Sequence, residues 1–125
     1  RDLIVTGVQT CALPIYCVGD EVLVALARML QNNIRECDMA CRYGGEEFLI
    51  VMPDTALKDA FVSVTRLLGM IQDAPAKTGK ADVTFTFSAG VAEVAVGEEV
   101  DDIINRADML LYKAKSQGRN QVCMA

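Results

Sequence analysis

The chain has 125 residues, a net charge of −5 and a pI near 4.6, with 52% hydrophobic residues but only 6% aromatic ones. That length supports one aliphatic core and excludes two. The acidic balance argues against nucleic-acid binding, and no apolar run approaches the ~20 residues of a membrane span, so neither nucleic acid nor membrane is an expected partner. Five cysteines without a Cys-x-x-Cys pair, in a chain lacking histidine, argue against a zinc site and fit the core thiols of a cytoplasmic protein.

The opening stretch, RDLIVTGVQTCALPI (residues 1–15), has no helical stripe, and its strand-like LIVTGV runs into QTCALP without a turn signal. From Gly19 the text becomes regular. GDEVLVALARMLQNNIREC puts Val22, Leu23, Leu26, Ala27, Leu30 and Ile34 on one helical face, with Asp20 and Glu21 suited to a helix start. DMACRY and EFLIVMP flank Gly44-Gly45 and predict a β-hairpin with a tight glycine turn. Pro53 stops the second strand, and Asp54 or Thr55 is placed to cap the next helix, which stripes Leu57, Phe61, Val64, Leu68 and Ile71. APAKTGKA (residues 74–81) reads as a loop, and DVTFTFSAGVAEVAV as a strand bent or bulged near Ala89-Gly90. The last helix has an acidic first turn, ends in Lys113 and Lys115, and offers Gly118 as its C-cap, before QVCMA as a short strand. These elements predict an α/β fold with a central mixed sheet and flanking helices.

The hairpin raises the chemical question. CRYGGEEFLIVMPDT sets two glutamates beside two glycines between runs that read as buried strand. Adjacent carboxylates are costly to desolvate, so a cation belongs near them, and glycines let the backbone approach a ligand closely. Taken alone, the string also fits a glycine turn with two solvated glutamates. Asp20 alone fits a helix cap, Arg35 and Asp38 a surface ion pair, and Lys115 and Arg119, one helical turn apart, ordinary helix-end cations.

RYGGEEF (Arg42 to Phe48) resembles the signature of the GGDEF family of diguanylate cyclase domains, in its GGEEF form. GDEVL at Gly19, R-x-x-D at Arg35 and Asp38, MPDTAL at Met52, FSAGVA at Phe87 and RADMLLYKAKSQGRN at Arg106 extend the resemblance over Tyr16 to Val122. It implies condensation of two GTP molecules to cyclic di-GMP and two pyrophosphates, with Mg²⁺ (or Mn²⁺) as the metal and a homodimer as the catalytic unit. By the same resemblance Glu46 matches the metal ligand. Glu47 matches a catalytic neighbour assisting the metal or the 3′-hydroxyl. Asp20 matches the carboxylate that reads guanine, Gly44 and Gly45 the close approach to substrate, and Lys115 and Arg119 the triphosphate cations. Arg35 and Asp38, with Arg66 on the next helix, match a product-inhibition site for cyclic di-GMP. A non-catalytic cyclic di-GMP receptor using Arg35 and Asp38 is the alternative reading.

Members of the family begin D-x-D-x-F-K-x-x-N-D-x-x-G-H-x-x-G-D, and only the end of that pattern stands here, as Y-C-V-G-D from Tyr16. VTGVQTCALPI resembles a translated sequencing adapter, and Tyr16 stands where the family has histidine, one codon base away. Residues 1–15 are therefore expected to be a non-native segment before an N-terminally truncated domain (16–125) that lacks its first strand. A sheet missing that strand would expose two unpaired edges and aggregate, although the β propensity of DLIVTGV allows it to occupy the vacant position, with Asp2 poorly placed to serve as a ligand. Without a further metal carboxylate, Glu46 and Glu47 would hold Mg²⁺ poorly, so little product is expected from the chain as it stands.

Overall fold

The computed structural model describes residues 3–11, 16–44, 47–73, 76–77, 82–83 and 86–125. The chain forms β1 (Leu3–Cys11), α1 (Tyr16–Asn33), β2 (Met39–Gly44), β3 (Glu47–Pro53) and α2 (Leu57–Asp73). It continues through β4 (Ala76–Lys77), β5 (Asp82–Val83), β6 (Thr86–Glu93), α3 (Val100–Ser116) and β7 (Val122–Met124). Five strands make one sheet in the order β2-β3-β1-β6-β7, antiparallel except for the β6–β7 pair, and β4 and β5 form a separate two-stranded ribbon.

The two faces follow from period-two side-chain alternation. Along β3, Phe48, Ile50 and Met52 are buried while their neighbours are half-buried. With Phe87, Ala89 and Val91 of β6 they face α1 and α2, which contribute Leu26, Leu30, Ala60, Val64, Leu67, Leu68 and Ile71 to the main core. The opposite residues, Leu49 and Ala92, pack with Ile103 and Ala107 of α3. The sheet is thus sandwiched, with α1 and α2 on one side and α3 on the other.

The predicted hairpin, second helix, third helix and last strand form where the sequence puts them. Several expectations need correction. The sheet does not lack its central strand: Leu3–Cys11 fills that place, paired with β3 from Leu3↔Pro53 to Gln9↔Glu47 and with β6 from Ile4↔Glu93 to Cys11↔Thr86. Its β-branched residues suit a ladder, and seating it leaves no unpaired edge on β3 or β6, which removes the stated cause of aggregation. The 74–81 loop contains strand residues Ala76–Lys77, paired with Asp82–Val83. No bulge falls at Ala89-Gly90, where the β1–β6 register runs unbroken. The cap position of α2 falls to Ala56, whose carbonyl accepts from the Asp59 and Ala60 amides at 3.0 Å, so neither Asp54 nor Thr55 occupies it.

Gly90 has a different role from a bend. A Cβ there would collide with the Ala107 carbonyl oxygen and the Leu111 nitrogen, so α3 rests directly on the sheet backbone. Gly69, inside α2, has nothing within 4 Å of a built Cβ. The loop before α3 is clipped by Arg106, which donates to the Glu98 carboxylate at 2.7 and 2.8 Å and to the Glu93 carbonyl. The Ala95 amide also donates to Glu98, at 2.9 Å. Hydrogen bonding from Arg106, then from Ala95, lowers the Glu98 carboxyl from 4.5 to about 2.

Gly90→Ala is expected to lower unfolding free energy by about 1–3 kcal/mol through overpacking, whereas Gly69→Ala should raise it by about 0.5–1 kcal/mol. Urea midpoints of the two variants check this, and equal effects would refute the close approach. The native Glu98 stays charged where the unfolded chain already takes up a proton. Its stabilisation is therefore complete above about pH 4.5 and fades as pH falls toward about 2. Thermal melts over that window should show wild type losing stability relative to Glu98→Gln; parallel curves would count against the clip.

Candidate functional site

The candidate residues fall at the two ends of β3. Helix α1 runs from the end of the sheet where β1 finishes to the end where Arg35 begins the next turn, and β2 returns the chain to the first end. At that first end Gly44 pairs with Glu47, while the register slips at Tyr43, so the hairpin is bulged beside its turn. Gly45 and Glu46 lie outside the described residues. Glu47 is half-buried at the start of β3.

The same end receives two other predicted elements. Asp20 sits one turn inside α1, because the helix begins at Tyr16. An N-cap role is therefore excluded for it. Farther along α1, Val24, Ala27 and Gln31 line a groove of about 430 Å³ between the helix and the hairpin, closed by Ala40, Arg42 and Phe48. That volume lies in the ~300–1,000 Å³ range of small-molecule sites. Sheet register links the third element: Glu47 pairs with Gln9 and Gln9 with Ser88, whose buried hydroxyl accepts from the Asn120 amide at 3.1 Å. The turn after α3 therefore lies at the hairpin's end of the sheet, two strands away, or ~10 Å.

Lys115 and Arg119 both belong to this turn, but they are not one helical turn apart. Gln117 is the C-cap of α3, and Gly118 at φ +116° reverses the chain. The Arg119 amide then closes onto the Ala114 carbonyl at 3.0 Å, and Arg119 itself takes φ +62°. Lys115 ends the helix and Arg119 leads away from it.

At the opposite end the structure brings Arg35, Asp38 and Arg66 together around a cavity of about 180 Å³, with Asn33, Thr55, Asp59 and Ser63 also in its wall. Asp38 accepts from Arg35 Nη2 at 2.7 Å, from Nε at 3.1 and 3.2 Å, and from the Arg35 amide at 2.9 Å. These bonds raise the Arg35 guanidinium further above its ordinary value, the side-chain hydrogen bond with Asp38 being the main cause. Arg66 donates to the Asn33 carbonyl at 3.4 Å. Two more partners were not legible in the sequence: Arg35 Nη2 also donates to the Pro53 carbonyl at 2.8 Å and to Thr55 Oγ1 at 2.6 Å. MPDT carries a stop-and-cap signal, and nothing in its spacing points back to an arginine so far along the chain.

Among the described residues, no group of three or more His, Cys, Asp or Glu side chains could hold a metal ion, and no helix is long and apolar enough to cross a membrane.

A family model described as "Diguanylate cyclase, GGDEF domain" matches residues 17–121. The response regulator PleD of Caulobacter vibrioides is 42% identical over 108 residues, covering 84% of this chain and 24% of PleD. Among solved structures, diguanylate cyclase SiaD in complex with its activator SiaC from Pseudomonas aeruginosa is similar with a TM-score of 0.88 at 30% identity, covering 100% of this chain and 50% of that one. The active GGEEF domain of a diguanylate cyclase from Vibrio cholerae has a TM-score of 0.82 at 28% identity, covering 99% of this chain and 83% of that one. The chain spans about a quarter of the length of the curated relatives it matches.

Proposed function

The chain belongs to the diguanylate cyclase GGDEF-domain family, and we propose that it is the part of a larger protein that condenses two GTP molecules into cyclic di-GMP. The observation that carries this reading is the gathering of the hairpin, the first turns of α1 and the Lys115–Arg119 turn at one end of the sheet.

In the proposed reaction each protomer of a homodimer binds one GTP. The 3′-oxygen of one nucleotide attacks the α-phosphorus of the other; its proton leaves to a base, an O–P bond forms, and the bond to pyrophosphate breaks. Repeating the step in the other direction closes the ring and releases the second pyrophosphate. Twofold symmetry suits this, since it presents each hydroxyl to the partner's phosphate. Mg²⁺ is usually held by one or two carboxylates together with substrate phosphates; Glu46 would supply one of them, and without a further carboxylate this chain would hold the ion poorly. When bound, it would neutralise charge developing on the transferred phosphoryl group. Glu47 would help orient the attacking hydroxyl, Asp20 would accept from guanine N1–H and the 2-amino group, and Lys115 and Arg119 would take the triphosphate.

Arg35, Asp38 and Arg66 are assigned to cyclic di-GMP as feedback inhibitor. The preorganised Arg35–Asp38 pair also supports the second reading, a cyclic di-GMP receptor. We read residues 1–15 as non-native and 16–125 as the domain, which an independent read of the DNA before Cys17 checks.

Incubated with GTP and Mg²⁺, this chain should bind cyclic di-GMP and make little of it by mass spectrometry. Asp20→Asn should weaken GTP relative to ATP by roughly tenfold to hundredfold in a binding titration. Binding of neither GTP nor cyclic di-GMP would overturn the assignment. Cyclic di-GMP binding without turnover in the full-length protein would favour the receptor.

A further inference from the structure

Arg35 is more constrained than an ion pair with Asp38 requires. Its Nη2 carries two protons yet has three acceptors in reach: Asp38 Oδ1 at 2.7 Å, the Pro53 carbonyl at 2.8 Å and Thr55 Oγ1 at 2.6 Å. The Thr55 hydroxyl commits its own proton to that Pro53 carbonyl at 2.9 Å, so it meets Arg35 with a lone pair. Nε is spent on Asp38. Nη1 has no protein partner among the described residues. Three anchors on one side of a planar group fix its rotation about the last side-chain bonds and leave the Nη1 edge as the donor pair still available.

We propose that Thr55 is the positioning residue of the Arg35 cavity: with the Pro53 carbonyl it holds the guanidinium so that the Nη1 N–H donors are aimed at guanine or phosphate oxygens of cyclic di-GMP. The proposal rests on the reading of that cavity as the cyclic di-GMP site. At about 180 Å³ the cavity is smaller than a complete drug-sized site, ~300–1,000 Å³, so it takes one part of the ligand. Recognition there depends on how few donors are aimed, and aiming them before binding removes an ordering cost from the bound state. Thr55 follows β3 by two residues and hydrogen-bonds the carbonyl of its last residue, Pro53, so the donor is indexed to the sheet rather than to the Arg35 turn alone.

The test uses Thr55→Val, which removes the hydroxyl at nearly constant shape, with Thr55→Ser to restore it and Arg35→Ala as reference. By calorimetry, Thr55→Val should weaken cyclic di-GMP roughly five- to tenfold, the worth of one ordinary hydrogen bond. Thr55→Ser should stay within about twofold of wild type, and Thr55→Val should add nothing in the Arg35→Ala background. Nitrogen-15 spectra of the Arg35 side chain, recorded without ligand, should show hindered guanidinium rotation in wild type and averaging in Thr55→Val. If Arg35→Ala binds like wild type, the reading of the cavity fails while the spectra still judge Thr55. If Arg35→Ala loses binding but Thr55→Val keeps it, or if Thr55→Ser is as weak as Thr55→Val, the positioning role is overturned.

Discussion

Strand β3 is the constraint on which the rest depends. It is paired on both sides, by β2 and β1, and its alternate residues Phe48, Ile50 and Met52 are committed to the main core. A slip of one residue would turn these three to the α3 face and Leu49 and Val51 into the main core, so the register is fixed by burial on two faces. Because the register is fixed, so are the strand's ends. Glu47 opens it beside the glycines, and Pro53 closes it with a carbonyl that Arg35 and Thr55 both use. The two candidate sites are opposite ends of one rigid element, ~20 Å apart at the rise of an extended strand.

That arrangement explains how adjacent glutamates are tolerated next to a buried strand. Glu47 stands at the first paired position of β3 and is half-buried, and full burial begins only at Phe48, which is 5% exposed. The bulge at Tyr43 lets Gly44 meet Glu47 across a short turn while the strands behind it keep their pairing. Asp38 solves the opposite problem. Its side chain is only 4% exposed, and it is tolerated because the Arg35 guanidinium and amide satisfy both of its oxygens.

What the sequence made legible is what local chemistry decides. Glycines between alternating runs set the limits of β2 and β3, and the Lys113–Gly118 ending located the close of α3 because a positive φ needs glycine at little cost. What it concealed is decided by partners distant along the chain. LIVTGVQTC is strand-like by itself, but its central place in the sheet is decided by β3 and β6, which each offer it an edge. Ala76–Lys77 pairs only because Asp82–Val83 returns alongside it. Thr55 reads as a cap until Arg35 arrives from the turn after α1. Lys115 and Arg119 fit a helical spacing on paper, and Gly118 separates them in space.

Gly90 shows how the same distinction reaches the candidate site. A glycine in a strand first suggests a bend, but here it is the contact point of α3 with the sheet, set against the Ala107 carbonyl and the Leu111 amide. With that contact fixed, the helix axis has little freedom, and the end of α3 follows from it. Ala114 is buried, Arg119 closes onto its carbonyl, and Asn120 hydrogen-bonds Ser88 in the strand that carries Gly90. The backbone that carries the cations of the last turn is therefore positioned by the packing of α3 on the sheet. A missing Cβ in the sheet sets how closely α3 approaches, and through it where Lys115 and Arg119 stand relative to the hairpin carboxylates.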